Sequence, residues 1–93
     1  MKAKWNNRII AQSNETVHLE GNHYFPKDSV KWEYFTETDL TTTCPWKGEA
    51  RYYTIEVDGE VNQDGAWSYP EPKEAAQEIR GYVAFYNTVE ITE

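Results

Sequence analysis

One cysteine, one methionine and two leucines, Leu19 and Leu40, stand among 93 residues. A lone cysteine closes no intrachain disulfide, which argues against a small secreted domain held by disulfide bridges. Long apolar runs are missing as well. The opening residues MKAKWNNRIIAQSNE hold nothing of signal-peptide length. No later stretch approaches the roughly 20 apolar residues that span a bilayer. Asn14-Glu15-Thr16 matches a glycosylation sequon, which carries no meaning without secretion. Basic residues are outnumbered nine to sixteen, for a net charge of −7. A surface of that sign repels phosphate backbones and anionic lipid. Lys27, Lys31, Lys47, Arg51 and Lys73 form no run, so neither a nucleic-acid nor a membrane partner is expected. The expectation is a soluble cytoplasmic protein that needs no cofactor.

What the chain has instead is aromatic side chains, 15% of all residues (Trp 4, Tyr 7, Phe 3). Its length suits one domain, within the usual range of about 50 to 250 residues. A chain this short buries only roughly 60–65% of its unfolded surface, so its core is small. Each buried ring removes about 150–250 Å² from water, and a few rings can supply that core. Tyr and Trp also carry a polar end that needs a partner, so a core rich in them can double as a pocket wall.

Apolar residues fall mostly in short runs bounded by turn formers, the pattern of strands. Arg8–Gln12 is one candidate strand. Thr16–Glu20 alternates like a second, and Gly21-Asn22 permits a hairpin back into His23-Tyr24-Phe25. Pro26 ends that strand because it cannot donate to a ladder. Residues 27–35 read as a short turn over Lys27–Val30 followed by an extended Glu33-Tyr34-Phe35. Residues 36–48, with three consecutive threonines, Pro45 and Gly48, read mostly as loop. The clearest hairpin is 50–57 (ARYYTIEV) with 60–69 (EVNQDGAWSY). Between them Asp58-Gly59 suits the positive φ angles of a type I′ turn. Alternation puts Tyr53, Ile55 and Val57 on one face, and Ala50, Tyr52, Thr54 and Glu56 on the other. After Pro70 and Pro72, residues 73–80 suit two helical turns with Ala75, Ala76 and Ile79 inward and Gly81 as the stop. GYVAFY (81–86) is apolar on both faces, as a covered strand should be. Val89-Glu90-Ile91 reads as a closing strand.

Four segments in order carry a family resemblance. They are Gly21-Asn22-His23-Tyr24-Phe25-Pro26 followed by Asp28; Thr43-Cys44-Pro45-Trp46-Lys47-Gly48 followed by Ala50 and Tyr52; Ala66-Trp67-Ser68-Tyr69-Pro70 followed by Pro72; and Val83-Ala84-Phe85-Tyr86. The set resembles DUF427, a family of small bacterial domains of unknown function, over about Trp5 to Val89. The resemblance implies a compact mainly β single domain. That means a bent antiparallel sheet or β-tent-like open barrel, similar in outline to methionine sulfoxide reductase B and the cereblon ligand domain, with one short helix near 73–80. A nucleotidyltransferase label is sometimes attached to this family. Such enzymes need a Gly-Ser turn and paired aspartates that hold Mg²⁺. Here Glu56, Asp58, Glu60 and Asp64 bracket a hairpin tip with no Gly-Ser before them, and read as a solvated acidic turn.

Candidate functional residues gather around the second segment. A thiol attacks as thiolate, and a nearby ammonium favours that form. If Cys-Pro-Trp-Lys-Gly is a tight turn, Cys44 and Lys47 share a side. The plainer reading makes Cys44 a small buried hydrophobe, with Lys47 solvated or paired with a carboxylate such as Glu49. His18, His23 and Cys44 fall short of the four closely spaced ligands of structural zinc, so no metal site is expected. Tyr24, Tyr52 and Phe85 are placed to converge on Trp67 and Tyr69. The expected ligand site is therefore Tyr24, Cys44, Lys47, Tyr52, Trp67 and Tyr69, binding a small polar or anionic molecule. Two alternatives stand beside it. One is a thiol-dependent enzyme with Cys44 as nucleophile and Lys47 beside it. The other is a protein-interaction domain docking through Trp46.

Overall fold

Asp58 and Gly59 adopt φ angles of 51° and 81°, the left-handed pair that a type I′ turn requires. A computed structural model describes the whole chain, residues 1–93. The hairpin around that turn joins strands of ten and nine residues. In chain order the strands are β1 (Lys2–Trp5), β2 (Arg8–Gln12), β3 (Val17–Leu19), β4 (Asn22–Tyr24), β5 (Phe35–Cys44), β6 (Gly48–Val57), β7 (Glu60–Ser68), β8 (Val83–Phe85) and β9 (Glu90–Thr92). They form three antiparallel sheets, ordered β2-β1-β9, β3-β4 and β5-β6-β7-β8. No helix is long and apolar enough to cross a membrane.

The four-stranded sheet is covered on both faces. Side chains alternate along a strand, and the register Tyr52↔Trp67↔Ala84 stands beside Tyr53↔Ala66↔Phe85. The second row joins Ile55, Val57, Val83 and Phe25 against the three-stranded sheet through Ala3, Ile10 and Ala11, with Val89, just before β9, in the same core. The first row, with Ala50, Tyr69, Ala76 and Ile79, packs beneath the β3–β4 hairpin through Tyr24, Val17 and Leu19. Phe25 and Val83 exchange two backbone hydrogen bonds, at 2.7 and 2.8 Å. That bridge fastens the hairpin to β8 and covers an edge otherwise open for pairing. A bulge between Tyr53 and Ile55 coincides with Asp64 at φ 55°. There the Asp64 N–H donates to the Thr54 hydroxyl at 3.2 Å.

Several sequence expectations need correction. Residues 36–48 are mainly strand: β5 runs through all three threonines and pairs with β6 from Phe35↔Ile55 to Cys44↔Gly48. The β-branched threonines suit an exposed pleated edge, and only residues 45–47 form the turn. Lys2–Trp5 is a strand between β2 and β9 that its mixed Lys-Ala-Lys-Trp pattern did not announce. Residues 74–79 form 3₁₀ turns with non-helical geometry at Ala76. Ala76 and Ile79 are buried there, but Ala75 is exposed. Tighter winding moves the inward face away from the expected 3.6-residue spacing. Trp32–Tyr34 is also a 3₁₀ turn, so extension begins at Phe35. Phe85 lies in the core opposite Trp67 and Tyr69 and does not converge on them.

His18 and His23 face each other across the β3–β4 pair and stack with ring centroids 4.6 Å apart. The His23 Nδ1 is buried without a hydrogen-bond partner. Burial, and then the neighbouring His18 charge, hold the His23 pKa below its ordinary value. The unfolded chain therefore binds the proton more readily. Stability should be full above about pH 6.5 and fall as pH drops through the folded value. Urea unfolding midpoints between about pH 7.5 and 5.5 check this, with His23→Phe expected to flatten the dependence.

Candidate functional site

Cys44 is the last residue of β5 and faces Gly48, the first of β6. The three residues between them turn the chain, and Gly48 closes it at φ 114°, a conformation that favours glycine. Residues 71–73 press on this turn. A side chain at Gly48 would meet the Glu71 carbonyl and the Lys73 backbone nitrogen at 3.5 Å. The Lys73 N–H donates to the Lys47 carbonyl at 2.8 Å, and the Lys73 ammonium donates to the Pro45 carbonyl at 2.7 Å. Held this way, the turn sends Trp46 outward, 37% exposed, and Lys47 inward, 7% exposed.

A buried ammonium needs a counter-charge and hydrogen-bond acceptors. Lys47 finds both in Glu20, to which its Nζ donates. Its ammonium also lies 5.3 Å from the Tyr69 ring centre and 5.5 Å from that of Trp46, within cation–π range. Burial works to lower the Lys47 pKa. That is the largest single influence, but the hydrogen bond to Glu20 and the charges of Tyr24, Tyr69 and Glu20 together outweigh it, so the pKa stands above its ordinary value. Glu20 accepts that hydrogen bond, which holds its carboxyl below the usual range. Its second oxygen accepts the Trp46 indole N–H at 3.3 Å. Glu20 sits at the tip of the β3–β4 hairpin at φ 52°, with its side chain 48% exposed. Glu49, the carboxylate nearer in sequence, pairs with Arg51 instead, at 3.1 Å.

The aromatic residues settle their polar ends within the same face of the sheet. The Trp67 indole donates to the hydroxyl of the fully buried Tyr24 at 3.3 Å, with the rings edge to face. A hydroxyl buried without such a partner would cost about 1–3 kcal/mol. The Tyr52 hydroxyl meets Thr42 Oγ1 at 2.9 Å. Tyr86, 46% exposed, stacks on Tyr52 and leans on Trp67, with ring centres 6.5 and 4.8 Å away. Burial raises the Tyr69 pKa against the opposing pull of Lys47.

The six expected site residues thus share one side of the four-stranded sheet. Tyr24, Tyr52 and Tyr69 are buried members of its core, and Cys44 and Trp67 pack against it half-buried. Lys47 reaches the same group through Tyr69. They do not surround an open hollow. The four surface cavities lie elsewhere, at Pro26–Asp28 with Trp32 and Tyr82, at Gly21–His23 with Tyr86 and Asn87, at Lys4–Asn7, and around Arg51 and Glu71. Glu20 is the residue that sequence reasoning missed. It reads as the polar end of a strand, and nothing local ties it to a lysine 27 positions away. The acidic residues at the other hairpin tip disperse. Asp58 meets Arg8 at 3.4 Å, and Asp64 accepts from the Thr38 hydroxyl at 2.7 Å.

These features define a small all-β domain with a buried, carboxylate-paired lysine at the edge of a tyrosine-rich core. The family model described as a domain of unknown function, DUF427, matches residues 1–93, and the chain belongs to that family. No curated protein matches it.

The Glu20–Lys47 pair makes stability depend on pH in a defined window. With its folded pKa lowered, Glu20 contributes stability above about pH 4.3 and loses it as pH falls through the folded value. Lys47, with a raised pKa, contributes below about pH 10.4 and loses it as pH rises further. The stability difference between wild type and Lys47→Met should therefore be level across neutral pH and shrink at both extremes. Denaturant unfolding of both proteins across pH measures it.

Proposed function

We propose that this protein is a binding module for a small polar or anionic molecule, recognised by Lys47 with Tyr24, Cys44, Tyr52, Trp67 and Tyr69. The observation that carries this reading is the Lys47 ammonium itself. A lysine taken out of water is costly as a structural element, because desolvation opposes the gain from pairing. A tyrosine-lined cation with one carboxylate partner is the arrangement expected where an anion is to be held. Aromatic rings around a few directed polar groups are also the usual lining of small-ligand sites.

The thiol-enzyme alternative has less behind it. Cys44 is half-buried at a strand end, and the ammonium that would stabilise its thiolate is engaged by Glu20. Docking through Trp46 is likewise weakened by the hydrogen bond that ties its indole to Glu20.

Titration of ¹⁵N-labelled protein with a panel of small carboxylic acids, amides and sugars tests the binding reading. Saturable shifts at the backbone amides of Tyr24, Cys44, Lys47, Trp67 and Tyr69 are expected. Shifts confined to Lys4–Asn7 or to Lys27, Asp28 and Trp32, or no saturable shift from any compound, would overturn it.

A further inference from the structure

Lys47 and Trp46 present two adjacent hydrogen-bond donors, and the two oxygens of one carboxylate accept from them: Oε1 from the lysine ammonium, Oε2 from the indole N–H. The donors belong to a turn fixed by Gly48 and by both Lys73 contacts. The acceptor belongs to a different element. It hangs from the tip of the β3–β4 hairpin with its side chain 48% exposed. The lysine is thus sunken and fixed, while the carboxylate is peripheral and has water to swing into.

We infer that Trp46 and Lys47 form a carboxylate seat, and that Glu20 is a built-in occupant which a ligand's carboxylate displaces. This rests on the binding reading above and sharpens it. The ligand class becomes a small carboxylic acid, with any apolar or aromatic body directed towards the Tyr69 ring beside the ammonium. It also accounts for the lack of an open hollow at these residues, since the side chain of Glu20 occupies the donors that would face it. An intramolecular carboxylate competes at high effective concentration. A ligand then sees only the fraction of molecules in which the seat is free, and its apparent affinity falls by that fraction.

Removing the occupant tests the inference. Acetate and benzoate, with acetamide and benzamide as uncharged controls, are titrated by NMR into wild type, Glu20→Ala, Glu20→Gln and Lys47→Met at matched chloride and ionic strength. Glu20→Ala is expected to bind the carboxylates about five- to tenfold more tightly than wild type, as follows when a competing closed state is removed. The amides should gain nothing, Glu20→Gln should lie between wild type and Glu20→Ala, and Lys47→Met should lose binding. Added acetate should also raise the melting temperature of Glu20→Ala in a saturable way, as a ligand specific for the folded state does. Equal carboxylate affinity in wild type and Glu20→Ala, with shifts still centred on Lys47, would overturn the displaced-occupant inference and leave the binding module standing. No carboxylate binding at Lys47 in any variant would also overturn the inference, whereas the binding reading falls only if the amides and sugars of the wider panel give no saturable shift there either.

Discussion

A lysine ammonium held out of water organises this end of the molecule. The Lys47 carbonyl accepts from Lys73, its ammonium donates to Glu20, and its charge lies over the rings of Trp46 and Tyr69. Through those contacts one residue joins the β5–β6 turn, the tip of the β3–β4 hairpin and the segment entering the 3₁₀ turns. Exposed ion pairs contribute little because water competes for both partners. Here one partner is sunken and the other is not, so the pair is anchored on one side only. That asymmetry makes Glu20, and not Lys47, the part able to move.

The fold supplies this asymmetry through a sheet with two buried faces. Tyr53, Ala66 and Phe85 point into one core, and Tyr52, Trp67 and Ala84 into the other. A chain with two leucines fills both largely with rings, alanines and β-branched residues. The core beneath the β3–β4 hairpin takes most of the buried tyrosines, whose hydroxyls need partners. Trp67 serves Tyr24, and Thr42 serves Tyr52. The same demand for polar partners makes this core less oily than its counterpart.

Local signals in the sequence announced the parts of the fold that local chemistry controls. Asp58-Gly59 makes its turn because the positive φ angles it needs are cheap for that dipeptide. Pro26 ends the hairpin strand, and Gly81 stops the 3₁₀ segment at φ 73°. Alternation put Trp67 and Tyr69 on one side of their strand, whereas Cys44 and Lys47 reach the Tyr69 side only through the turn at residues 45–47. What stayed hidden depends on distant partners. Thr41–Thr43 reads as loop until β6 is there to pair with it, and Lys2–Trp5 is a strand only between β2 and β9. Glu20 was overlooked for the same reason. Glu49 is the carboxylate closer to Lys47 along the chain, yet it lies on the exposed side of β6 and falls to Arg51. Only the hairpin's fold-back over the sheet brings Glu20 to the ammonium.

Whether the Lys47 ammonium is sheltered from solvent and bonded to one carboxylate can be read from side-chain ¹⁵N NMR of the lysine ammonium groups. One signal should stand resolved from those of the solvated lysines, exchange slowly with water, and disappear when Glu20 becomes Gln. A spectrum in which every lysine, Lys47 included, gives the averaged and fast-exchanging signal of a free ammonium would refute the sheltered pair and the site built on it.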